Sequence, residues 1–97
     1  METTIIPRVL NDGKWKTGFQ VPNDTDVDQV VNMIFRKGSV KKYKELKIEP
    51  YSSKSFFFEE KGAWIAEIQH NRGVYPDGIL FDTKTGAFQF IPGKKKL

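Results

Sequence analysis

His70 is the only histidine in the chain, and Arg72, Tyr75 and Asp77 follow it closely. A histidine beside a cation is the minimum equipment of a small metal-independent ribonuclease. The imidazole would move protons while the guanidinium stabilises charge on phosphate. Glu67 is the nearest candidate for a second base. The plainer reading is that Gln69-His70-Asn71-Arg72-Gly73 is a polar loop between strands. It is preferred, because no second acid–base group is convincingly placed, and no catalytic residue is assigned.

The other routes to catalysis close quickly. Asp24, Asp26 and Asp28 alternate in an oxygen-rich run that a hard cation could use. That run lacks the glycine and the distant bidentate glutamate of an EF-hand loop, and helix capping accounts for all three acids. The chain has no cysteine, which excludes disulfides, thiolate metal sites and cysteine nucleophiles. It contains no G-x-x-x-x-G-K-[ST], G-x-G-x-x-G or G-x-S-x-G. Ser39, Ser52, Ser53 and Ser55 belong to no nucleophile motif. Neither a metal nor an organic cofactor is expected.

Binding chemistry is better represented. Lys41, Lys42, Tyr43, Lys44 and Lys47 form the densest basic cluster inside the domain, and Lys94-Lys95-Lys96 forms a second. With Tyr51 and Phe56-Phe57-Phe58 nearby, the first cluster could hold single-stranded nucleic acid, cations on phosphates and rings under bases. The alternative is a solvated connector and a solubilising tail. Glu45, Glu49, Glu59 and Glu60 dilute the field.

The three consecutive phenylalanines raise a separate question. Neighbouring residues of a strand point to opposite faces, so this strand is apolar on both. Either it is central and covered on both sides, which is the expectation, or Phe57 is exposed and marks a partner site. Phe88 and Phe90 pose the same question on one face of a later strand, with Ala87 and Ile91 on the other.

The elements that must position these groups fit within one domain, residues 1–93, followed by a basic tail, 94–97. A chain of 97 residues suits a single core. Its 38% hydrophobic and 13% aromatic content is too apolar for disorder. Thr3–Leu10 reads as a strand that Pro7 makes an edge or an irregular one. Asn11-Asp12-Gly13 is a turn, and Lys14–Val21 alternates, with Trp15, Thr17, Phe19 and Val21 on the apolar face. Thr25 and Asp28 resemble a capping box. Val27, Val30, Val31, Ile34 and Phe35 then follow at i, i+3, i+4, i+7, i+8. With Gly38 suited to the position after a helix end, the spacing predicts an amphipathic helix over Asp26–Lys37. Ser39–Lys44 reads as a basic connector. About five short strands follow, the last two a hairpin around Thr83-Lys84-Thr85-Gly86. The predicted fold is α+β: ββα and then strands, one helix packed on a curved, mostly antiparallel sheet.

The segment Ile5–Gly38 resembles the opening of a ubiquitin-like β-grasp domain: strand, tight turn, strand, Asp-Thr, amphipathic helix. Within that fold, Phe19-Gln20-Val21-Pro22-Asn23-Asp24-Thr25-Asp26-Val27-Asp28-Gln29-Val30-Val31 is similar to Ras-association and Ras-binding domains. The resemblance covers about a third of the chain. It implies docking to an acidic edge of a small GTPase, with Lys14, Lys16, Arg36 and Lys37 supplying the charge.

The functional expectation is a small non-catalytic protein-interaction module whose partner has an acidic surface. Its binding residues would be Lys14, Lys16, Arg36 and Lys37. The alternatives are a single-stranded nucleic-acid binder using Lys41, Lys42, Tyr43, Lys44 and Lys47, and a ribonuclease using His70. No signal peptide and no membrane span are read from the sequence. The absence of staples leans towards the cytoplasm. The net charge of +4 permits an acidic partner without demanding one.

Overall fold

The computed structural model describes residues 1–96, and these residues form an all-β protein. Nine strands follow in chain order: β1 Glu2–Asn11, β2 Trp15–Asn23, β3 Gln29–Lys37, β4 Val40–Ile48, β5 Ser52–Phe57, β6 Gly62–His70, β7 Asp77–Asp82, β8 Phe88–Ile91 and β9 Lys94–Lys95. Every pairing is antiparallel. The described residues contain no helix, so none could cross a membrane.

The predicted α+β fold is therefore corrected, and the error lies in Asp26–Lys37. Gln29–Lys37 is a strand, paired on one side with β4 and on the other with β6. Burial alternates along it: Gln29, Val31, Met33 and Phe35 point into the core, while Val30 is 47% exposed and Val31 fully covered. Valines 30 and 31, Ile34 and Phe35 fit a period of 3.6 and also a strand that is apolar on both faces. The β-branching of Val30, Val31 and Ile34 and the aromatic ring of Phe35 favour the strand.

The supposed capping residues do different work. Thr25 donates both its backbone N–H (3.0 Å) and its hydroxyl (2.6 Å) to Asn23 Oδ1. Side-chain oxygens that cap helices also close Asx turns. Gly38, read as a helix terminator, opens the two-residue β3–β4 turn with φ 59°. That conformation suits glycine in a hairpin as well as after a helix. The basic connector Ser39–Lys44 is mostly β4, a long exposed edge strand.

One continuous sheet folds over itself into two layers. Its main path runs β4-β3-β6-β1-β2-β7-β8, with β9 added to β1 and β5 to β2. The corner is the β1–β2 turn, where only Asn11 and Lys16 pair before the strands diverge. β4, β3, β6, β1 and β9 thus make one layer; β5, β2, β7 and β8 make the other. Pro7 sits in the interior strand β1 at a register shift between Ile6 and Val9. The extra residue places both Ile6 and Val9 inward, where each is fully buried, and a bulge tolerates the missing N–H of proline.

The core lies between the layers. Ile6, Val9, Val31, Met33, Phe35, Trp64, Ala66 and Ile68 come from the first layer, and Phe19, Val21, Leu80 and Ile91 from the second. Phe19 and Phe35 meet edge-on across the gap, with ring centroids 5.7 Å apart. Phe58, just beyond β5, continues the internal aromatic chain between Phe35 and Trp64. Lys94 and Lys95 of the basic tail pair with Ile5 and Thr4, and Lys95 Nζ lies 3.0 Å from Glu2 Oε1. Leu97 of that tail lies outside the described residues.

Candidate functional site

The two basic sets expected from the sequence are dispersed by this fold. Lys14 flanks the β1–β2 turn, its ammonium 5.5 Å from the Trp15 ring centre. Lys16 stands on the outer face of the second layer, 5.0 Å from the ring centre of Phe57. Arg36 lies on the outer face of the first layer. Its Nε is 3.3 Å from Glu67 Oε1, an ion pair whose N–H is not aligned well enough to form a hydrogen bond. Lys37 reaches towards Trp64, 5.8 Å from the ring centre. These four cations share no surface.

The Lys41–Lys47 cluster is split by strand parity. Register places Lys41, Tyr43, Glu45 and Lys47 on one side of β4, beside Arg36, Ile34, Asn32 and Val30. Lys42 and Lys44 face the other way, and Lys44 covers Phe56 at 4.6 Å. Lys47 is 3.6 Å from Asp28 Oδ2. A strand divides neighbouring residues between its faces, so the run yields half the charge density that its sequence suggests.

His70 is 4% exposed. Its Nδ1 lies 2.9 Å from the Asn71 carbonyl and its Nε2 2.7 Å from Thr4 Oγ1. The carbonyl can only accept, so Nδ1 carries a proton. In the neutral ring Nε2 then accepts the Thr4 hydroxyl. Both nitrogens are engaged, which gives His70 a structural role in joining β6 to β1. Asp24, Asp26 and Asp28 are exposed on a loop, and no group of three His, Cys, Asp or Glu side chains able to hold a metal occurs among the described residues.

The concentrated surface is elsewhere. Phe56 and Phe58 point inward, and Phe57 points out, 48% exposed. The expectation that both faces of this strand are covered is thereby corrected. The pairings Gly18↔Phe57, Gly18↔Ile79, Ile79↔Phe90 and Phe81↔Phe88 put these residues side by side on the outer face of the second layer. Phe88 and Phe90 are 60% and 68% exposed. Ring centroids are 5.5 Å apart for Phe57–Phe81, 6.0 Å for Phe81–Phe88 and 5.9 Å for Phe88–Phe90. Four phenylalanines from three strands thus form one unbroken outer row that passes over β2, where Gly18 forms the floor between Phe57 and Phe81.

Burial and charge set this row apart. By register the same face carries Gln20, Ser53, Ser55 and Pro22, and only two charged residues, Lys16 and Asp77. Neither forms an ion pair among the described residues. At roughly 200 Å² per ring, the exposed fractions of Phe57, Phe88 and Phe90 amount to about 350 Å² of aromatic surface. Patches of that size are often functional on small proteins.

Among solved structures, a crystal structure of Thermotoga maritima 1070 is similar to this chain, with a TM-score of 0.75 and 13% identity over 97% of this chain and 90% of that one. At that identity the likeness describes the fold. No family model and no curated protein matches.

The aromatic row was half-legible in the sequence. Alternation put Phe88 and Phe90 on a common face and singled out Phe57. The predicted final hairpin already sets Phe81 beside Phe88, but the pairings of β5 and β7 with β2 that bring Phe57 to Phe81 join residues far apart in the chain, and no local pattern signals them.

Proposed function

We propose that this protein is a non-catalytic protein-interaction module that docks through its outer aromatic row. The observation that carries this reading is the contiguity of Phe57, Phe81, Phe88 and Phe90 on an otherwise nearly uncharged sheet face. Interfaces between proteins are rich in aromatic residues and poor in charge at their centres. Each of these rings has few torsions to freeze, so docking costs little side-chain entropy. The partner offers apolar surface for the rings. Its rim carries a carboxylate for Lys16, the one member of the expected basic set that stands on this face.

The nucleic-acid reading has less support. Single-strand binders combine stacking rings with a cationic track for the backbone. Here the aromatic row lies on the second layer, while the outward lysines of β4 belong to the first layer, where they share their face with Tyr43 and are interrupted by Glu45.

The test is capture from native extract with and without nuclease. Three baits are compared: wild type, Phe88→Ser/Phe90→Ser and Lys41→Glu/Lys47→Glu. A discrete protein, including an untagged copy of this chain, should survive nuclease. It should be lost with the phenylalanine variant and kept with the lysine variant. Nucleic acid as the sole bound species, lost with the lysine variant, would overturn the proposal.

A further inference from the structure

We infer that the occupant of the aromatic face is a second copy of this chain, in a two-fold dimer whose axis lies across the strands of β2 and β7. This assignment rests on the docking role proposed above and names the partner.

Two charges on the face fix the geometry of such a pair. Lys16 pairs with Phe81 at one end of the β2–β7 ladder, and Asp77 pairs with Gln20 at the other. Four residues of strand separate Lys16 from Gln20, about 13 Å at the usual rise. A two-fold axis lying in the interface and perpendicular to the strands reverses strand direction between copies. Lys16 of each copy then stands over the Asp77 end of its mate. The operation makes both pairs at once, as a self-complementary interface requires. The opposite operator, with its axis along the strands, would set lysine over lysine.

The rings obey the same operator. Lateral strand order is preserved, so β7 and β8 lie over their own counterparts with ends exchanged. Phe57 and Phe90, level with Gly18 and Ile79 midway between the two charges, then meet their own counterparts, while Phe81 and Phe88, level with Lys16, lie over the Asp77 end of the mate. Aromatic pairs favour edge-to-face and offset contacts, and the rows already present ring edges, since Phe88 and Phe90 stand at 90° to each other. The remaining members of the face, Gly18, Gln20, Ser53 and Ser55, are small or uncharged and raise no repulsion between copies.

A standard interface covers about 800 Å² on each partner. The three most exposed rings supply nearly half of that, and Ile79, Phe81, Lys16, Gln20 and Asp77 surround them. Sheets packed face to face through such residues reproduce the layer packing inside the protein itself.

Sedimentation equilibrium on the full chain, with a charge exchange, tests the assignment. Wild type should sediment at twice the chain mass of 11.2 kDa. Lys16→Asp and Asp77→Lys should each weaken association roughly tenfold, and combining them should restore it, since exchanging the charges preserves a pair that faces its partner. Phe88→Ser/Phe90→Ser should be monomeric with an unchanged circular dichroism spectrum. A monomeric wild type at millimolar concentration, or a double exchange no better than the single variants, would overturn the second-copy assignment. The broader docking role fails separately, if the phenylalanine variant keeps every nuclease-resistant partner of the wild type.

Discussion

Gly18 and Phe81 lie so close that a Cβ at position 18 would come within 3.2 Å of Phe81 Cε2; the same atom would lie 3.4 Å from Phe57 Cε1. The glycine is what lets the two rings lie down over β2 with their centroids 5.5 Å apart. Gly18→Val should therefore lift both rings and break the row. A valine gains strand propensity over glycine, which offsets part of the crowding, so the stability change should stay within about 1 kcal/mol. Partner capture, and the dimer with it, should fall while the melting midpoint holds. Unaltered binding by a well-folded Gly18→Val would count against the flat row as the docking element.

Neighbouring valines on β3 separate the strand from the predicted helix. Val31 is fully buried and Val30 is half-exposed on the opposite face. Val31→Asp should cost several kcal/mol, about 3–5, by burying an unpaired carboxylate. Val30→Asp should cost no more than about 1 kcal/mol. On a helix both positions would belong to one buried stripe. Urea denaturation of the two variants decides the matter, and equal losses would contradict the strand.

Replacement of His70 should act on stability. His70→Ala leaves the Thr4 hydroxyl without its partner and should cost about 1–3 kcal/mol. Neither wild type nor variant should cleave RNA. Cleavage by wild type that disappears in His70→Ala would overturn the structural role given to this ring.

The Glu2–Lys95 contact should give the C-terminal strand a pH dependence. The hydrogen bond from Lys95, reinforced by its charge, holds the Glu2 carboxyl below its ordinary 4.5. A carboxyl depressed by folding contributes above its unfolded pKa, and the contribution is lost as pH falls through the lower folded value. The pair is exposed, so the effect is local. The chemical shift of the Lys95 amide should be constant at neutral pH and move on acidification below about pH 4.5. Glu2→Gln should abolish that transition. An unchanged transition in Glu2→Gln would contradict the contact.

Much of the strand content was readable because its signals are local. Trp15-Thr17-Phe19-Val21 alternates against polar neighbours, and Thr83–Gly86 carries turn chemistry between β7 and β8. β3 was misread because Val30, Val31, Ile34 and Phe35 satisfy both periods when a strand is apolar on two faces. Thr25 and Gly38 compounded the error, since Asx turns and hairpin turns use the residues that begin and end helices. The first half of β4 escaped notice as a strand because an edge carrying Lys41, Lys42 and Lys44 buries too little to alternate, whereas Leu46 and Ile48 marked its second half. Such lysines also discourage unwanted pairing along an open edge. The candidate site depended on register. Phe57 meets Phe81 only because β5 and β7 both pair with β2 around Gly18, a long-range arrangement with no signature in any window of the chain.

The central claim is that partners meet this protein on the outer face of the second layer. The most direct measurement is a residue-resolved nuclear magnetic resonance map. Backbone amides and the Ile79 methyl are followed as the protein is diluted from millimolar to micromolar concentration, and again as nuclease-treated partner is added. The largest shifts should gather at Lys16, Gly18, Phe57, Asp77, Ile79, Phe81, Phe88 and Phe90, with β4 unmoved. Shifts centred on Val40–Ile48, with the aromatic row silent in both series, would contradict it.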